Sequence, residues 1–184
     1  LSIVGLSACS SGGGQSGDGQ EAKPAKKHTI MGTSGIAGTW YPSAAKIAGI
    51  VMSQTNSLVT VQATGGSNEN VKLMKKGEMG MGLVSSTVVP QAYEGKGEFE
   101  GNPNKNLRFV VSLFPQTIQG VVYKSSKINT IYDLKGTKMS AGAPGSGDLT
   151  DWELVLGYYG IKTSDLDWRP LTSTERAMAL RTTF

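Results

Sequence analysis

Four stretches of this 184-residue chain carry the side chains best suited to hold a small polar ligand. The first is Gly32-Thr33-Ser34-Gly35-Ile36-Ala37-Gly38-Thr39-Trp40-Tyr41, and the second is Thr64-Gly65-Gly66-Ser67-Asn68-Glu69-Asn70. The third is Val84-Ser85-Ser86-Thr87, and the fourth is Ala143-Pro144-Gly145-Ser146-Gly147-Asp148. Hydroxyls and amides supply directional hydrogen bonds. Glycine lets a backbone approach a ligand closely. Helix N-termini add unpaired N–H groups and a partial positive charge that suit an anion. No Lys or Arg lies in these stretches, so a carboxylate or phosphate would be held by backbone N–H groups and hydroxyls, not by an arginine fork. Asp148 suits an ammonium group, although stabilising the N-terminus of its own helix is the more ordinary role. Trp40 and Tyr41 can stack on a ligand or pack beneath the first stretch.

Other chemistries have less to stand on. The single His28 leaves no partner for imidazole-based acid/base work or a two-His metal centre. The single Cys9 cannot form an internal disulfide or a multi-thiolate site. Gly32, Gly35 and Gly38 are spaced G-x-x-G-x-x-G, not as in the dinucleotide fingerprint. Neither a phosphate-loop motif nor a G-x-S-x-G elbow is present. Asp165 and Asp167 read as solvated charges on a surface loop. No catalytic residue, cofactor or metal is therefore expected. The net charge is +4, with only 17% charged residues. The densest basic run, Lys23, Lys26 and Lys27, falls in a linker, so no nucleic-acid partner is expected either.

The elements that must position the four stretches follow from periodicity. Residues 28–31 read as a strand. Ala44, Ile47, Ala48 and Val51 recur at i, i+3, i+4 and i+7, which predicts a helix over Tyr41–Gln54, with Pro42 in its first turn. Leu58–Ala63 alternates as a strand. A helix from Gly66 or Ser67 to Lys76 ends at Gly77. Met79–Val84 is a third strand, and a short helix runs from Ser85 or Ser86 to Glu94. Residues 95–106 have the composition of a polar surface excursion. Leu107–Phe114 and Ile118–Tyr123 read as strands linked by Pro115-Gln116-Thr117. Residues 131–136 read as a helical turn ending at Gly136, and Thr137–Ala141 as a strand. The pattern then predicts a helix over Asp148–Tyr159 with a Leu154, Val155 and Tyr158 face. Asp167–Leu171 is a strand, and Ser173–Arg181 is a helix capped by Ser173 or Thr174. Such alternation indicates an α/β fold with a largely parallel sheet. In that architecture ligands sit beyond the carboxyl ends of the strands, where all four stretches fall. Of the 25 glycines, Gly32, Gly35, Gly38, Gly65, Gly66, Gly145 and Gly147 then line a cleft, with Gly80 and Gly82 on the strand leading to the third stretch.

The N-terminal residues follow different rules. Residues 1–9, LSIVGLSAC, form a short apolar run too short to span a bilayer. Leu6-Ser7-Ala8-Cys9 resembles a bacterial lipobox, in which the Cys carries lipid. Residues 10–27 are Gly/Ser-rich and then charged, the composition of a flexible tether. Lipidation of Cys9 would anchor the protein to a membrane. The expected location is extracytoplasmic: the periplasm or the outer face of the cell membrane.

The segments GTSGIAGTWYP (32–42), QATGGSNENVKLMKKGEMGMGLVSS (62–86), NLRFVVSLFPQTIQGVV (106–122) and IYDLKGTKMSAGAPGSG (131–147) resemble the TAXI family of solute receptors of TRAP-type transporters. The resemblance runs from about His28 to Phe184. It implies a type II periplasmic-binding-protein fold of two lobes with mainly parallel sheets, lobe one over 28–123 and lobe two from 124. It also implies that lobe two is truncated at 184. It implies capture of a small carboxylate or a glutamate-like amino acid and delivery to membrane permease subunits. The site loops of the family fall on Ser34, Gly38, Thr39 and Tyr41, on Ser67 and Asn70, on Ser85 and Ser86, and on Gly145, Ser146 and Gly147. Asp148 stands where relatives often carry Thr. The rival class is a lipid-anchored sensor or interaction module without a transport role.

Overall fold

A computed structural model describes residues 27–182. Cys9 and the lipobox lie outside the described residues, as does the tether up to residue 26. Lys27, expected to close the tether, instead opens the first strand, because its N–H reaches the Asn56 carbonyl and it pairs with Ser57.

The first half is a three-stranded parallel sheet in the order β2-β1-β3. β1 is Lys27–Gly32, β2 is Ser57–Gln62 and β3 is Met81–Gly82. β3 is shorter than its sequence pattern, but the Gly80 N–H to Ile30 carbonyl and Leu83 N–H to Gly32 carbonyl bonds extend the ladder at both ends. Helix α1 (Trp40–Gln54) packs the expected stripe onto the sheet. Ala44 and Ala48 are buried against Met31 and Val59, with Ile47 and Val51 at the margin. The two alanines leave room for the larger strand side chains, whose burial contributes about 1.5–3 kcal/mol each. Helices α2 (Ser67–Lys75) and α3 (Val88–Glu94) share a second cluster of Val71, Val88, Ala92 and Phe99. α3 begins at Val88, later than expected, after a turn in which the Val88 and Val89 N–H groups both donate to the Ser85 carbonyl.

Residues 95–106 form a surface excursion as expected, exposed at all but Gly95, Phe99 and Asn104, and Phe99 is the exception to their polar composition. A 3-10 turn at Gly97–Phe99 drives the ring into the core at 4% exposure, and the Asn104 N–H closes the loop on the Ala92 carbonyl. An aromatic ring gains enough from burial to fold a polar loop around it.

The second half is a two-stranded parallel sheet of β4 (Lys138–Met139) and β5 (Asp167–Trp168). Helices α4 (Gly147–Tyr158) and α5 (Ser173–Thr182) follow the two strands. Leu156, Ile161 and Leu166 form its core, with Trp152 and Trp168 packed alongside. The expected inner face of α4 is corrected here: Leu154 and Tyr158 are exposed, whereas Thr150 and Asp151 are buried. The buried polar pair is accepted because hydrogen-bond partners await it on α2 and before α3. The cap of α5 also lies one residue earlier than expected. Thr172 accepts the Glu175 N–H, and Glu175 accepts the Thr172 N–H.

The strands expected at Leu107–Phe114 and Ile118–Tyr123 do not form. No ladder among the described residues pairs with them, and Phe109, Val110 and Val121 are exposed. Strand propensity expresses packing against neighbours, so a β-branched run without a neighbour stays irregular. What is shown is a mixed α/β architecture with parallel sheets, as the alternation of strands and helices indicates.

Candidate functional site

Asn70 organises the site. Helix α2 places it, fully buried, under the ends of three strands. Its amide nitrogen donates to the Thr33 carbonyl after β1 at 2.7 Å and to the Leu83 carbonyl after β3 at 2.8 Å. The Thr64 hydroxyl, after β2, lies 2.7 Å from the Asn70 Oδ1 and 2.8 Å from the Thr33 carbonyl. One side chain thus fastens three loops together. The sequence leaves room for it. A Cβ on Gly32 would overlap the Asn70 amide, and one on Gly82 would come within 3.1 Å of the Asn70 Cβ.

The fourth loop closes against this knot. The Gly145 carbonyl accepts the N–H groups of Asn68 and Glu69 at 3.1 and 3.2 Å. Those donors of α2 therefore bind the opposite half of the molecule and are not left for an anion. The Asn68 amide donates to the Ser146 carbonyl and the Thr150 hydroxyl, and the Thr87 hydroxyl donates to the Asp151 carboxylate. Gly147 sits where these parts meet. A Cβ there would lie 2.7 Å from the Ser67 Oγ and 2.9 Å from the Ser85 Oγ.

Above this seam is a cavity of about 380 Å³. Ser34, Gly38, Thr39 and Trp40 line it from the loop after β1, and Thr64, Gly65 and Ser67 from the loop after β2. Ser85 lines it from the loop after β3, and Ser146, Gly147 and Asp148 from the loop after β4. The structure thus brings together Ser34, Gly38, Thr39, Ser67, Ser85, Ser146 and Gly147 of the residues singled out in the sequence.

Tyr41, Asn70, Ser86 and Gly145 stand outside the lining. Asn70 is committed to the knot beneath. Gly145 turns at φ +80°, and a Cβ there would come within 3.4 Å of the Glu69 Cβ. Ser86 is exposed in the turn before α3, and Tyr41 is half-buried in the first turn of α1. Likewise Gly32, Gly66, Gly80, Gly82 and Gly145 do not line the cavity, whereas Gly35, Gly38, Gly65 and Gly147 do.

A fifth loop was missed. Thr172, Ser173, Thr174 and Arg176, following β5, complete the cavity. The same carboxyl-end rule applied to the predicted strand and helix at 167–181 would have found them. Gln116 also lines the cavity, from the extended segment, and no sequence signal pointed to it.

Arg176 overturns the expectation that no cation serves the site. Its Nη2 donates to the Asp148 Oδ2 at 2.6 Å and to the Ser173 Oγ at 3.1 Å. Asp148 keeps its place in the first turn of α4 and gains this guanidinium as a partner. Burial pushes the Asp151 carboxyl above its usual range, assisted by the nearby Asp148 charge and opposed by the Thr87 hydrogen bond. The buried hydroxyl of Ser146 and the Asn68 Oδ1 have no hydrogen-bond partner. A second compartment of about 210 Å³ adjoins the first, lined by Thr117, Ile118, Gln119 and Trp152. Gln116, Asp148, Asp151 and Arg176 line both.

The arrangement can hold a small polar molecule by hydroxyls, a guanidinium and carboxylates. His28, hydrogen-bonded to the Thr60 hydroxyl, is not among the cavity residues. Among the described residues no cluster of three His, Cys, Asp or Glu could hold a metal, and no helix is long and apolar enough to cross a membrane. Over residues 31–182 the chain matches the model of the NMT1-like family.

Proposed function

The chain belongs to the NMT1-like family of periplasmic-binding-protein-like solute-binding proteins, and from that premise we propose that it is the receptor of a TRAP-type transporter of the TAXI kind. Proteins of this family bind small molecules and are typically extracytoplasmic. The solute in this reading is a small carboxylate or amino acid, held between two lobes and delivered to membrane permease subunits. Lobe one spans 28–123 and lobe two begins at 124. The protein is tethered through a lipidated Cys9.

One observation carries the reading. Loops following all five strands, from both sheets, converge on one cavity at the carboxyl ends of those strands. A ligand touching both halves binds the closed arrangement better than an open one and shifts the population toward it. The cavity size falls in the range of small-molecule sites.

The test is thermal unfolding of the purified chain against a panel of amino acids and small carboxylates. A solute present at about a hundredfold excess over its Kd is expected to add about 2.7 kcal/mol of stability. A panel in which no compound stabilises the protein overturns the reading. Incorporation of labelled palmitate that disappears in Cys9→Ser tests the anchor.

A further inference from the structure

We propose that residues 108–114 form a strand through which two copies of this chain pair antiparallel, about a two-fold axis at Val111. This concerns the outer surface and stands apart from the solute reading of the cavity. The run reads RFVVSLF, seven residues of high strand propensity with one charge and no Pro. Among the described residues, no backbone group of residues 109–122 makes a hydrogen bond to another protein group. A row of free N–H and C=O groups along such a run is a template for another strand.

The run is anchored on both sides and unpartnered between. On one side Leu107 packs against the Phe99 cluster. On the other, residues 116–119 line the smaller compartment, and Gly120 lies so close to the second half that a Cβ would meet the Trp152 ring at 3.0 Å. Between these anchors Phe109 and Val110 are 79% and 86% exposed, and Val111, Leu113 and Phe114 are exposed as well.

Area and self-complementarity select a second copy as the occupant. Apolar residues between 109 and 122 expose roughly 800 Å² in all, and a stable interface takes about 800 Å² from each partner. The largest apolar patch on an ordinary monomer is only about 300–600 Å². Antiparallel pairing about Val111 sets Phe109 opposite Leu113 twice, an apolar cross-strand pair on each side of the axis. It sets Arg108 opposite Phe114 and keeps the two Arg108 residues about 20 Å apart, well beyond the screening length of about 8 Å. Parallel pairing in register would bring those like charges side by side. Pro115 has no N–H and ends the ladder, which confines the contact to a closed, isologous pair.

The experiment is sedimentation velocity of the full chain over a concentration series, under reducing conditions so that the single Cys9 cannot cross-link two copies. The mass is expected to move from one chain to two between about 1 and 100 µM. Val111→Pro removes an N–H that makes no bond in the single chain, so its thermal unfolding at the lowest concentration should match the wild type. Its self-association should weaken at least about tenfold. Val111→Lys and Val111→Glu each set like charges against one another at the axis, so each alone should stay monomeric, and a mixture of the two should pair. The charge variants decide the matter if Val111→Pro does not fold. A wild-type chain that stays monomeric throughout the series overturns the proposal. A dimer that survives Val111→Pro and the single charges overturns it too, because another face then pairs. A mixture that fails to pair overturns the axis at Val111, and open-ended fibres in place of a dimer overturn the two-fold closure.

Discussion

The two walls of the cavity are built on opposite plans. The wall from the three-stranded half is neutral and tied down. Thr33, Thr64 and Leu83 are fastened by Asn70, and the Ser67 hydroxyl accepts the Ser85 N–H. The wall from the two-stranded half holds all the charge in the lining, while among the described residues each half holds one buried polar atom without a partner, the Asn68 Oδ1 in the first and the Ser146 hydroxyl in the second. Buried polar groups that are fully paired hold geometry, and charged groups that line a cavity are the ones a ligand can pair with. In the proposed reading the first wall positions and the second recognises.

The comparison breaks most visibly at Asn70. Asn70→Ala would leave the Thr33 and Leu83 carbonyls without their buried donor, at about 1–3 kcal/mol for each unsatisfied group. We expect a loss of about 3 kcal/mol or more in urea unfolding, larger than for any substitution in the charged wall. A loss below about 1 kcal/mol would mean that the knot does not hold the loops. Next comes Gly147→Ala, which forces a Cβ against the Ser67 and Ser85 hydroxyls at the seam. Overpacking of this kind costs about 1–3 kcal/mol, readable in the same assay.

Ser146→Ala should behave in the opposite way. With no hydrogen bond to lose, stability should change by less than about 0.5 kcal/mol, while solute affinity drops about tenfold by calorimetry. A stability loss with unchanged affinity would move Ser146 to the positioning wall. The smallest effect is a slope. Burial raises the Asp151 carboxyl, so the folded state holds its proton to higher pH than the unfolded chain does. Its contribution to stability is therefore full below the ordinary aspartate range and declines as pH rises through the raised value. Unfolding measured from about pH 4 to pH 7 should show that decline flattened in Asp151→Asn.

Much of this arrangement was legible in the residues. The period of Ala44, Ile47, Ala48 and Val51 placed α1, and the alternation of strands and helices placed the polar loops at one end of the sheets. What local pattern could not reach was the use made of each residue after folding. Asn70 carries the same amide whether it faces a ligand or three strand ends, and only the convergence of those ends commits it. Gly32 and Gly82 looked like cleft glycines but make space for Asn70. Arg176 lay in a predicted helix whose approach to the cavity depends on the pairing of β4 with β5. The strands expected over 107–123 failed for a related reason: apolar alternation names a strand, but a ladder needs a neighbour. Phe99 shows the converse, a single ring that outweighed the polar composition of its loop.

The central claim is that one solute bridges the two unlike walls. Hydrogen exchange of the full chain, with and without a saturating solute from the panel, tests it most directly. The account predicts that amides in 64–70 and in 144–151 slow together on binding. Protection confined to one of these segments, or appearing only elsewhere in the chain, would contradict it.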